Sequence, residues 1–258
     1  MSIVNRLEAV LMTLLVLIFS SMSVASERFP YRSAFSDVPV IEVEQLRKQY
    51  DDVVIIDVRS KLEYDVIHIS KAINVTMSNL GFEEKAKNLA KKGSKLVVYC
   101  NGHDCKKSYQ AARRLMKDGL NDVYAFDAGV LDWVNAYPEM TVLLDETPVD
   151  LNKLISADEF KAKLINKAVF LEKAKQSNSM PIDVRENFQR VESGKQVVNF
   201  RSVPVDKFHQ WLQRGNGKDN TLLIVDAVGK QVRWLQYYLI KYEYQNYYFL
   251  EGGIGNLQ

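Results

Sequence analysis

Cysteine is scarce in this sequence: Cys100 and Cys105 are the only two among 258 residues. So low a count excludes a small scaffold that is held together by several disulfides. The two lie five positions apart, which is too close along the chain to staple a fold. In an exported protein such a pair can form a disulfide. We therefore interpret the pair as a site rather than as scaffolding.

An excess of charge of one sign is also missing. The 34 Lys and Arg residues are balanced by 32 Asp and Glu residues, and the formal net charge is +2. The basic residues are interspersed with acidic ones, as on a solvated surface, so nothing indicates nucleic acid as a partner. Hydrophobic residues make up 47% and charged residues 26% of the chain, which is typical of soluble globular proteins. The length favours one or two domains.

The N-terminal residues have a different composition from the rest. Arg6 precedes an apolar run from Ala9 to Phe19 in which Thr13 is the sole polar residue, and small residues follow. This order is typical of a secretory signal, which we predict over residues 1–26 with cleavage after Ala25. The protein is then expected to be exported, to the periplasm. The alternative is an uncleaved membrane anchor that faces the periplasm, because the apolar stretch extends to about Ala25.

The remaining chain alternates short β-rich runs with helical stretches. Continuous apolar runs are typical of buried parallel strands, and the intervening stretches have helical character. We predict strands at Val53–Ile56, Ala72–Val75, Leu96–Tyr99 and Val123–Phe126, and helices at Glu83–Lys92 and Lys106–Lys117. The pattern indicates an α/β fold in which helices cover a parallel sheet.

The second half of the chain repeats the first. Ile56-Asp57-Val58-Arg59 returns as Ile182-Asp183-Val184-Arg185, and Asp57 is as far from Cys100 as Asp183 is from Asp226. Asp226 is therefore the counterpart of Cys100. From these positions to Gly129-Val130 and Gly253-Ile254, the first copy is two residues longer.

We predict two domains, 36–142 and 150–258, joined by a polar linker near Pro148. The alternative is one large α/β domain. If Ile155 is the counterpart of Ile41, the second copy has an extended helix and loop within Lys161–Asn178.

The residues around Cys100 favour a reactive thiol. Cys100 ends a predicted strand, and a helix is predicted to begin at Cys105, so backbone N–H groups and the positive end of the helix meet in the intervening loop. A thiolate is stabilised by such donors. Gly102 permits a tight loop, and Lys106 and Lys107 add positive charge. Cys100 is thus a candidate nucleophile, and the alternative is an inert cysteine buried at the strand end.

The motifs resemble those of the rhodanese family over nearly all of the chain that follows the predicted signal. They are Asp57-Val58-Arg59, Glu63-Tyr64, His68-Ile69, Ala72–Val75, Tyr99–Gly102, Ser108, Ala111-Ala112, Leu115, Gly119, Val123-Tyr124, Asp127–Val130 and Trp133. The resemblance implies an α/β fold with two rhodanese-like domains, each a parallel β-sheet flanked by helices on both faces. It also implies that His68 is structural. At the end of a predicted strand, Asp57 and Arg59 are expected to form a structural ion pair rather than a catalytic one.

The resemblance further implies sulfane-sulfur transfer. The Cys100 thiolate would take the outer sulfur of a donor such as thiosulfate, and cyanide or a protein thiol would remove it from the resulting persulfide. The donor-binding loop would comprise Asn101, Gly102, His103, Asp104, Cys105, Lys106 and Lys107, with the backbone N–H groups of residues 101–105 holding the persulfide. Neither a metal nor an organic cofactor is required. The partners expected are a small sulfur-containing anion or a protein thiol, and a membrane only if the N-terminal segment is uncleaved.

The chain departs from the family pattern at several positions. Ile67 and Lys71 stand where the family usually has glycine, and the segment between Cys100 and Ser108 is two residues longer than the common form. It resembles a variant with a second cysteine. The loop has no Arg, so an anion would be recognised by the point charges of lysines rather than by a guanidinium fork.

Two further loop residues have alternative interpretations. Cys105 is a candidate resolving cysteine, which would attack the Cys100 persulfide or sulfenate and close a disulfide. Alternatively, it fills the first turn of the helix, with its sulfur too far from Cys100 to bond. His103 either binds a ligand or assists proton transfer, or is merely solvated.

The second copy has an aspartate at the nucleophile position. Asp226 is followed by a loop that contains Gly229 but neither the Arg nor the Ser of the family loop. A carboxylate is stable in a ring of N–H donors but cannot carry sulfane sulfur. We therefore predict a degenerate second site and an inactive second domain.

Three functions from different classes are compatible with the sequence. The first is a sulfurtransferase that uses Cys100, and the second is a non-catalytic scaffold of two vestigial domains. The third is an enzyme that uses the same loop, either for thiol redox chemistry with Cys100 and Cys105 or in the manner of a phosphatase. A phosphatase requires an Arg fork for phosphate, and this loop leads to Lys106 instead. The first copy keeps a thiolate-stabilising loop that the second has lost. This asymmetry favours chemistry in the first domain.

Overall fold

The computed structural model of the protein describes residues 28–90, 95–190 and 198–257. The chain falls into two compact units that divide between Val142 and Leu143. The predicted signal or anchor, residues 1–26, lies outside the described residues, and so does the end of the predicted helix Glu83–Lys92. Among the helices described, none has the length and apolar character needed to cross a membrane.

The first unit is built on a four-stranded parallel sheet. The strands of the whole unit are β1 (Val53–Asp57), β2 (Ile67–Ile69), β3 (Ile73–Asn74), β4 (Lys95–Tyr99), β5 (Val123–Phe126) and β6 (Thr141–Leu143). Its helices are α1 (Val43–Lys48), α2 (Lys61–Val66), α3 (Phe82–Ala90), α4 (Lys107–Lys117) and α5 (Gly129–Ala136). The main sheet has the order β3-β1-β4-β5, and β2 pairs with β6 separately. The four strands predicted from the sequence are therefore confirmed, with small shifts at their ends.

Helices cover both faces of this sheet, which explains why its strands are apolar on both sides. On one face, Ile56 and Val98 belong to a buried cluster with Phe82 of α3 and Leu115 of α4. On the other, the ring of Phe126 meets Trp133 of α5 edge-on at 6.0 Å. The predicted architecture, a parallel sheet flanked by helices on both faces, is confirmed.

The second unit repeats this arrangement with one more paired strand. Its strands are β7 (Leu164–Ile165), β8 (Ser179–Asp183), β9 (Arg201–Ser202), β10 (Thr221–Val225) and β11 (Tyr247–Leu250). Its helices are α6 (Ala157–Lys161), α7 (Lys167–Ala174), α8 (Val205–Gln213) and α9 (Val232–Lys241). The order β7-β11-β10-β8-β9 is parallel throughout. Strands β8, β9, β10 and β11 thus correspond to β1, β3, β4 and β5.

The edge strand corrects one expectation from the sequence. Leu164 of β7 pairs in parallel with Phe249, just as Val40 forms a parallel bridge with Ala125 in the first unit. The counterpart of Ile41 is therefore Ile165 rather than Ile155. The predicted extended helix and loop within Lys161–Asn178 is wrong, because Asn166 caps a separate helix, α7, by accepting a hydrogen bond from the Val169 N–H.

Candidate active site

Cys100 lies where the central strand β4 of the first unit ends, and its side chain is buried (0% exposed). Its carbonyl accepts a hydrogen bond from the Val130 N–H at 3.1 Å. The start of α5 presses against the same segment. Gly129 has a φ of +64°, and a Cβ there would come within 2.5 Å of the Gly102 nitrogen. Only glycine fits this approach, so the backbone on both sides of Cys100 is tightly held.

Cys100 and Cys105 are joined by a disulfide, with their Cα atoms 6.4 Å apart. The expectation that Cys105 occupies the first turn of the helix is wrong. Helix α4 begins at Lys107, and the Cys105 N–H donates to the Gly102 carbonyl at 2.9 Å in the preceding turn. This turn carries the Cys105 sulfur back to Cys100. The same hydrogen bond engages one of the amides predicted to hold a persulfide.

The disulfide sulfur of Cys100 has two polar neighbours. The Cys105 carbonyl oxygen lies 3.1 Å from Cys100 Sγ, and Ser108 Oγ lies 3.8 Å from it. Ser108 is buried in the first turn of α4. The serine that the family motif predicts is thus beside the cysteine, despite the longer loop between them.

A buried polar network ties Asn101 to strand β1 and helix α2. Arg59 (0% exposed) binds the Asp57 carboxylate through Nε and Nη2, so the predicted ion pair is confirmed. Arg59 Nη1 donates to Asn101 Oδ1 at 2.9 Å, and Asn101 Nδ2 donates to Glu63 Oε1 at 2.9 Å. The side chain of Asn101 therefore bridges a buried cation and a buried anion. It fixes the first residue of the loop after Cys100.

The charges in this network stabilise each other. Burial lowers the pKa of Arg59, but the Asp57 charge and hydrogen bonds raise it by more, and the guanidinium stays protonated. Burial likewise raises the pKa of Glu63. The Arg59 charge and the Asn101 hydrogen bond outweigh that effect, so that the Glu63 pKa lies below its ordinary value of 4.5. The loop after Cys100 is therefore anchored, through Asn101, to two buried side chains of opposite charge, Arg59 and Glu63.

His103 is held at the surface of the loop. Its Nε2 lies 2.9 Å from Asp132 Oδ2 of α5, and Arg28 Nη2 lies 3.0 Å from the same oxygen. The Phe29 ring packs on the imidazole with centroids 4.5 Å apart. The interpretation of His103 as merely solvated is therefore wrong. Arg28 and Phe29 lie upstream of the predicted domain start at residue 36, where no motif points to the site.

The remaining loop residues form its rim. Asp104, Lys106 and Lys107 are exposed, and Gly102 is buried under Ala128. Lys107 begins α4, and its charge contributes to the lowered pKa of Glu63. The lysines that the sequence placed beside the nucleophile thus stand at the positive end of an eleven-residue helix.

The corresponding position of the second unit holds a carboxylate in a ring of amides. Asp226 (1% exposed) follows β10, and its carbonyl accepts from the Ile254 N–H at 2.8 Å. Its carboxylate accepts hydrogen bonds from the backbone N–H groups of Val228, Gly229, Gln231 and Val232. Gly253 repeats the approach of Gly129, with a φ of +73° and a Cβ position 2.6 Å from the Val228 nitrogen. The two units therefore share a frame, which consists of the end of the central strand, the loop after it and the glycine that contacts this loop. The residue that the frame encloses is a cysteine in the first unit and an aspartate in the second.

Sequence comparison places the first unit among known proteins. A family model described as "Rhodanese-like domain" matches residues 41–136. The thiosulfate sulfurtransferase GlpE of Pseudomonas fluorescens is 30% identical over 109 residues, which are 42% of this chain and 94% of that protein. The putative sulfur carrier protein YrkF of Bacillus subtilis is 30% identical over 38% of this chain and 52% of that protein.

Another relative and two solved structures match less completely. The tRNA uridine(34) hydroxylase of Cytophaga hutchinsonii is 38% identical over 33% of this chain, which spans 28% of that protein. A crystal structure of a Pseudomonas aeruginosa thiosulfate sulfurtransferase is 18% identical over 87% of this chain and 45% of its own, with a TM-score of 0.36. The rhodanese-like domain of an Anabaena protein is 22% identical over 43% of this chain and 83% of its own, with a TM-score of 0.37. The fold assignment rests on the strands and helices described above.

Proposed function

The chain belongs to the rhodanese family, and on that premise we propose that its first unit is a sulfurtransferase that carries sulfane sulfur on Cys100. The observation that carries the proposal is the position of Cys100. It is buried at the end of the central strand, beside Ser108, and it precedes Asn101, whose side chain binds Arg59 of the Asp57–Arg59 pair. A relative that is covered over 94% of its length bears the name thiosulfate sulfurtransferase.

The reaction begins with reduction, because Cys100 in the disulfide has no thiolate with which to attack. The reduced Cys100 sulfur then bonds to the outer sulfur of a donor such as thiosulfate, and sulfite leaves with the electron pair of the broken S–S bond. An acceptor thiol or cyanide attacks the outer sulfur of the persulfide and restores the thiolate. The positive end of α4 and the charges of Lys106 and Lys107 favour both the thiolate and an approaching anion.

The proposal extends to partners and compartment. The partners are a small sulfur-containing anion and a thiol or cyanide acceptor, and the balanced charge gives no indication of nucleic acid as a partner. The composition of residues 1–26 supports export to the periplasm, with the protein free after cleavage or tethered to the membrane without it. Fractionation of cells, followed by N-terminal sequencing of the mature protein, tests both points.

We assign no sulfur chemistry to the second unit. The residue in the nucleophile position is Asp226, and a carboxylate cannot form a persulfide. Its four amide hydrogen bonds close the loop around it.

Intact-mass measurement tests the proposal. The protein is reduced, freed of reductant and incubated with thiosulfate, and released sulfite is measured beside protein mass. The Cys105→Ser variant is expected to gain one sulfur atom, about 32 Da, which cyanide removes. Cys100→Ser should gain nothing. If reduced, folded Cys105→Ser takes up no sulfur from thiosulfate or from other sulfane donors, the sulfurtransferase proposal is wrong.

The disulfide favours one alternative, a thiol redox protein that uses Cys100 and Cys105. Such a protein would exchange its disulfide with external dithiols and release no sulfite from thiosulfate. The same experiment therefore separates the two functions. A scaffold without chemistry would do neither.

A further inference from the structure

The fate of the sulfur on Cys100 depends on where Cys105 lies. The two sulfurs are bonded in the structure, so the loop brings Cys105 Sγ onto Cys100 Sγ itself. Helix α4 starts two residues after Cys105, and the turn from Gly102 to Cys105 is closed by its own hydrogen bond. In a persulfide, Cys100 Sγ is the inner sulfur. The geometry therefore directs Cys105 at the inner sulfur rather than at the outer one.

Comparison with the second unit explains how this arrangement arises. From Asp226 to Val232, the start of α9, the loop is two residues shorter than from Cys100 to Ser108, the counterpart of Val232. In the shorter loop, amides converge on the residue after the strand. In the longer loop, the Cys105 N–H donates instead to the Gly102 carbonyl. The Cys105 sulfur, rather than a backbone amide, is then the partner of the residue after the strand. The longer loop thus positions a second thiol at the first.

We propose that Cys105 discharges the Cys100 persulfide as sulfide and closes the disulfide, which makes the first unit a sulfide-releasing enzyme that uses thiosulfate and a dithiol. This inference rests on the proposed function, because it needs a persulfide on Cys100. It adds the product, the role of Cys105 and the class of the second substrate.

The step balances without any further reactant. The Cys105 thiolate forms a bond to Cys100 Sγ, and the bond between Cys100 Sγ and the outer sulfur breaks. The outer sulfur leaves with the electron pair as hydrosulfide, taking the persulfide proton with it. The two cysteines lose two electrons in forming the disulfide, and the sulfane sulfur gains them. Because both groups belong to one short loop, the reaction is intramolecular and has the advantage of proximity over an external thiol.

The next turnover needs a dithiol reductant, such as a protein with a pair of cysteines or dithiothreitol as its chemical stand-in. Cys100 is fully buried and Cys105 is partly buried, so an incoming thiolate reaches the Cys105 sulfur first. Its attack releases Cys100 as the thiolate. The second thiol of the reductant then frees Cys105. The active nucleophile is thus regenerated at the buried position.

Single-turnover measurement tests this step. The reduced wild-type chain, freed of reductant, is mixed with thiosulfate without any external thiol or cyanide. We expect one sulfite and one sulfide per chain and a protein whose two thiols no longer react with iodoacetamide. Cys105→Ser and Cys105→Ala should release sulfite alone and keep the sulfur, so that their sulfide yield is at least about tenfold lower. Two replacements of different polarity guard against a folding defect, which circular dichroism checks.

The outcomes separate the two proposals. If wild type keeps its persulfide as long as the Cys105 variants do, the discharge step is wrong and the sulfurtransferase proposal stands. If thiosulfate yields no sulfite with any variant, thiosulfate is not the donor, and the sulfurtransferase proposal fails if no other sulfane donor loads Cys100 either. Loading Cys100 from glutathione persulfide then decides the discharge step by itself, since sulfide release from wild type and its absence from Cys105→Ser support it. Equal release from both overturns it.

Discussion

The two units have the same frame around different residues. Each has a buried Asp–Arg pair at the end of a corresponding strand, Asp57–Arg59 at β1 and Asp183–Arg185 at β8. Each also presses a glycine of positive φ onto the loop after its central strand. Within that loop, the first unit has a cysteine bonded to a second cysteine. The second unit has the carboxylate of Asp226 bonded to backbone amides.

The difference shows what the frame requires and what it leaves open. In both units the residue after the central strand is almost fully buried, and its backbone is fixed by the following helix or turn. Its side chain must therefore find a partner inside the loop. The shorter loop offers amides, which suit a fixed anion, and the longer one offers a sulfur. Loop length and residue type thus decide between a permanent structural group and a group that can react.

The largest effect is expected when the shared glycine contact is broken. Gly129→Ala and Gly253→Ala each combine an unfavourable φ with a Cβ pressed onto backbone atoms, 2.5 Å and 2.6 Å from the nearest nitrogen. Each should destabilise its own unit by about 3 kcal/mol. Hydrogen exchange of the slowest amides in each unit measures this. Gly129→Ala should also reduce sulfur uptake, and Gly253→Ala should not.

A third glycine provides the control for this comparison. Gly119 has a φ of +94°, but a Cβ there meets nothing within 4 Å. Gly119→Ala therefore isolates the backbone strain, which should cost about 1 kcal/mol. If Gly129→Ala and Gly253→Ala lose no more stability than Gly119→Ala, the contact between glycine and loop does not hold the frame together.

The next effect concerns the carboxylate of the second unit. Asp226→Asn replaces one acceptor oxygen with an amide group that faces N–H donors, so two hydrogen bonds are lost and donors meet donors. We expect the second unit to lose about 2 kcal/mol, with sulfur uptake by Cys100 unchanged. Asp206→Asn, at an exposed ion pair with Lys207, is the matched control and should change stability by less than about 0.5 kcal/mol. An Asp226→Asn variant as stable as the Asp206→Asn control would show that the amide ring is not structural.

The parts of this site that were predictable from the sequence are those that recur in both copies of the repeat or follow the residue pattern of a buried strand. The Asp–Arg pair, the buried strands and the equivalence of Cys100 and Asp226 all recur at fixed spacing in the two copies. The disulfide was left open because the start of α4 decides it. Helix ends are poorly specified where a loop ends in lysines rather than in a capping residue, and Lys106 makes no side-chain cap.

Contacts made by single residues far apart in sequence were not predictable. The His103–Asp132 pair joins a loop to a helix, and Arg28 and Phe29 reach it from a segment without a motif. The counterpart of Ile41 was also misplaced, because Ile155 and Ile165 are each followed by a residue that caps a helix, Ser156 and Asn166. Only the pairing of β7 with β11 distinguishes them.

A smaller effect is expected from the link between loop and ion pair. Asn101→Ala removes one partner each from Arg59 Nη1 and Glu63 Oε1, both in buried side chains. We expect the first unit to lose about 1 to 2 kcal/mol and the rate of sulfite release to fall, because the loop loses its anchor beside Cys100. The reciprocal change in the second unit, Ala227→Asn, should be nearly neutral. Arg185 Nη1 already donates there to the Gln189 carbonyl. If Asn101→Ala changes neither the stability of the first unit nor the rate of sulfite release, the Asn101 side chain does not anchor the loop, and the two units do not differ in this respect.

The smallest effect concerns two glutamates that occupy equivalent places in capping boxes. Glu63 reaches back to the Ser60 N–H at 3.0 Å, and Glu159 to the Ser156 N–H at 2.8 Å. Glu63 is also buried against Arg59 and Asn101, whereas Glu159 is exposed. Replacing each by Gln keeps an acceptor and removes the charge. Glu63→Gln should destabilise the first unit by about 1 kcal/mol at neutral pH, and Glu159→Gln should have a smaller effect.

The pH dependence of this loss identifies its cause. A carboxyl whose pKa is lowered by folding adds stability that is fully present above its unfolded pKa, and that is lost as pH falls through the folded pKa. For Glu63 the added stability is present above its ordinary value of 4.5 and disappears below it. The difference between wild type and Glu63→Gln should therefore shrink as the pH is lowered to about 3, in unfolding curves followed by hydrogen exchange of the first unit. A difference that stays constant over this range would mean that Glu63 acts through its shape and capping contacts, and that its charge contributes nothing to the stability of the first unit.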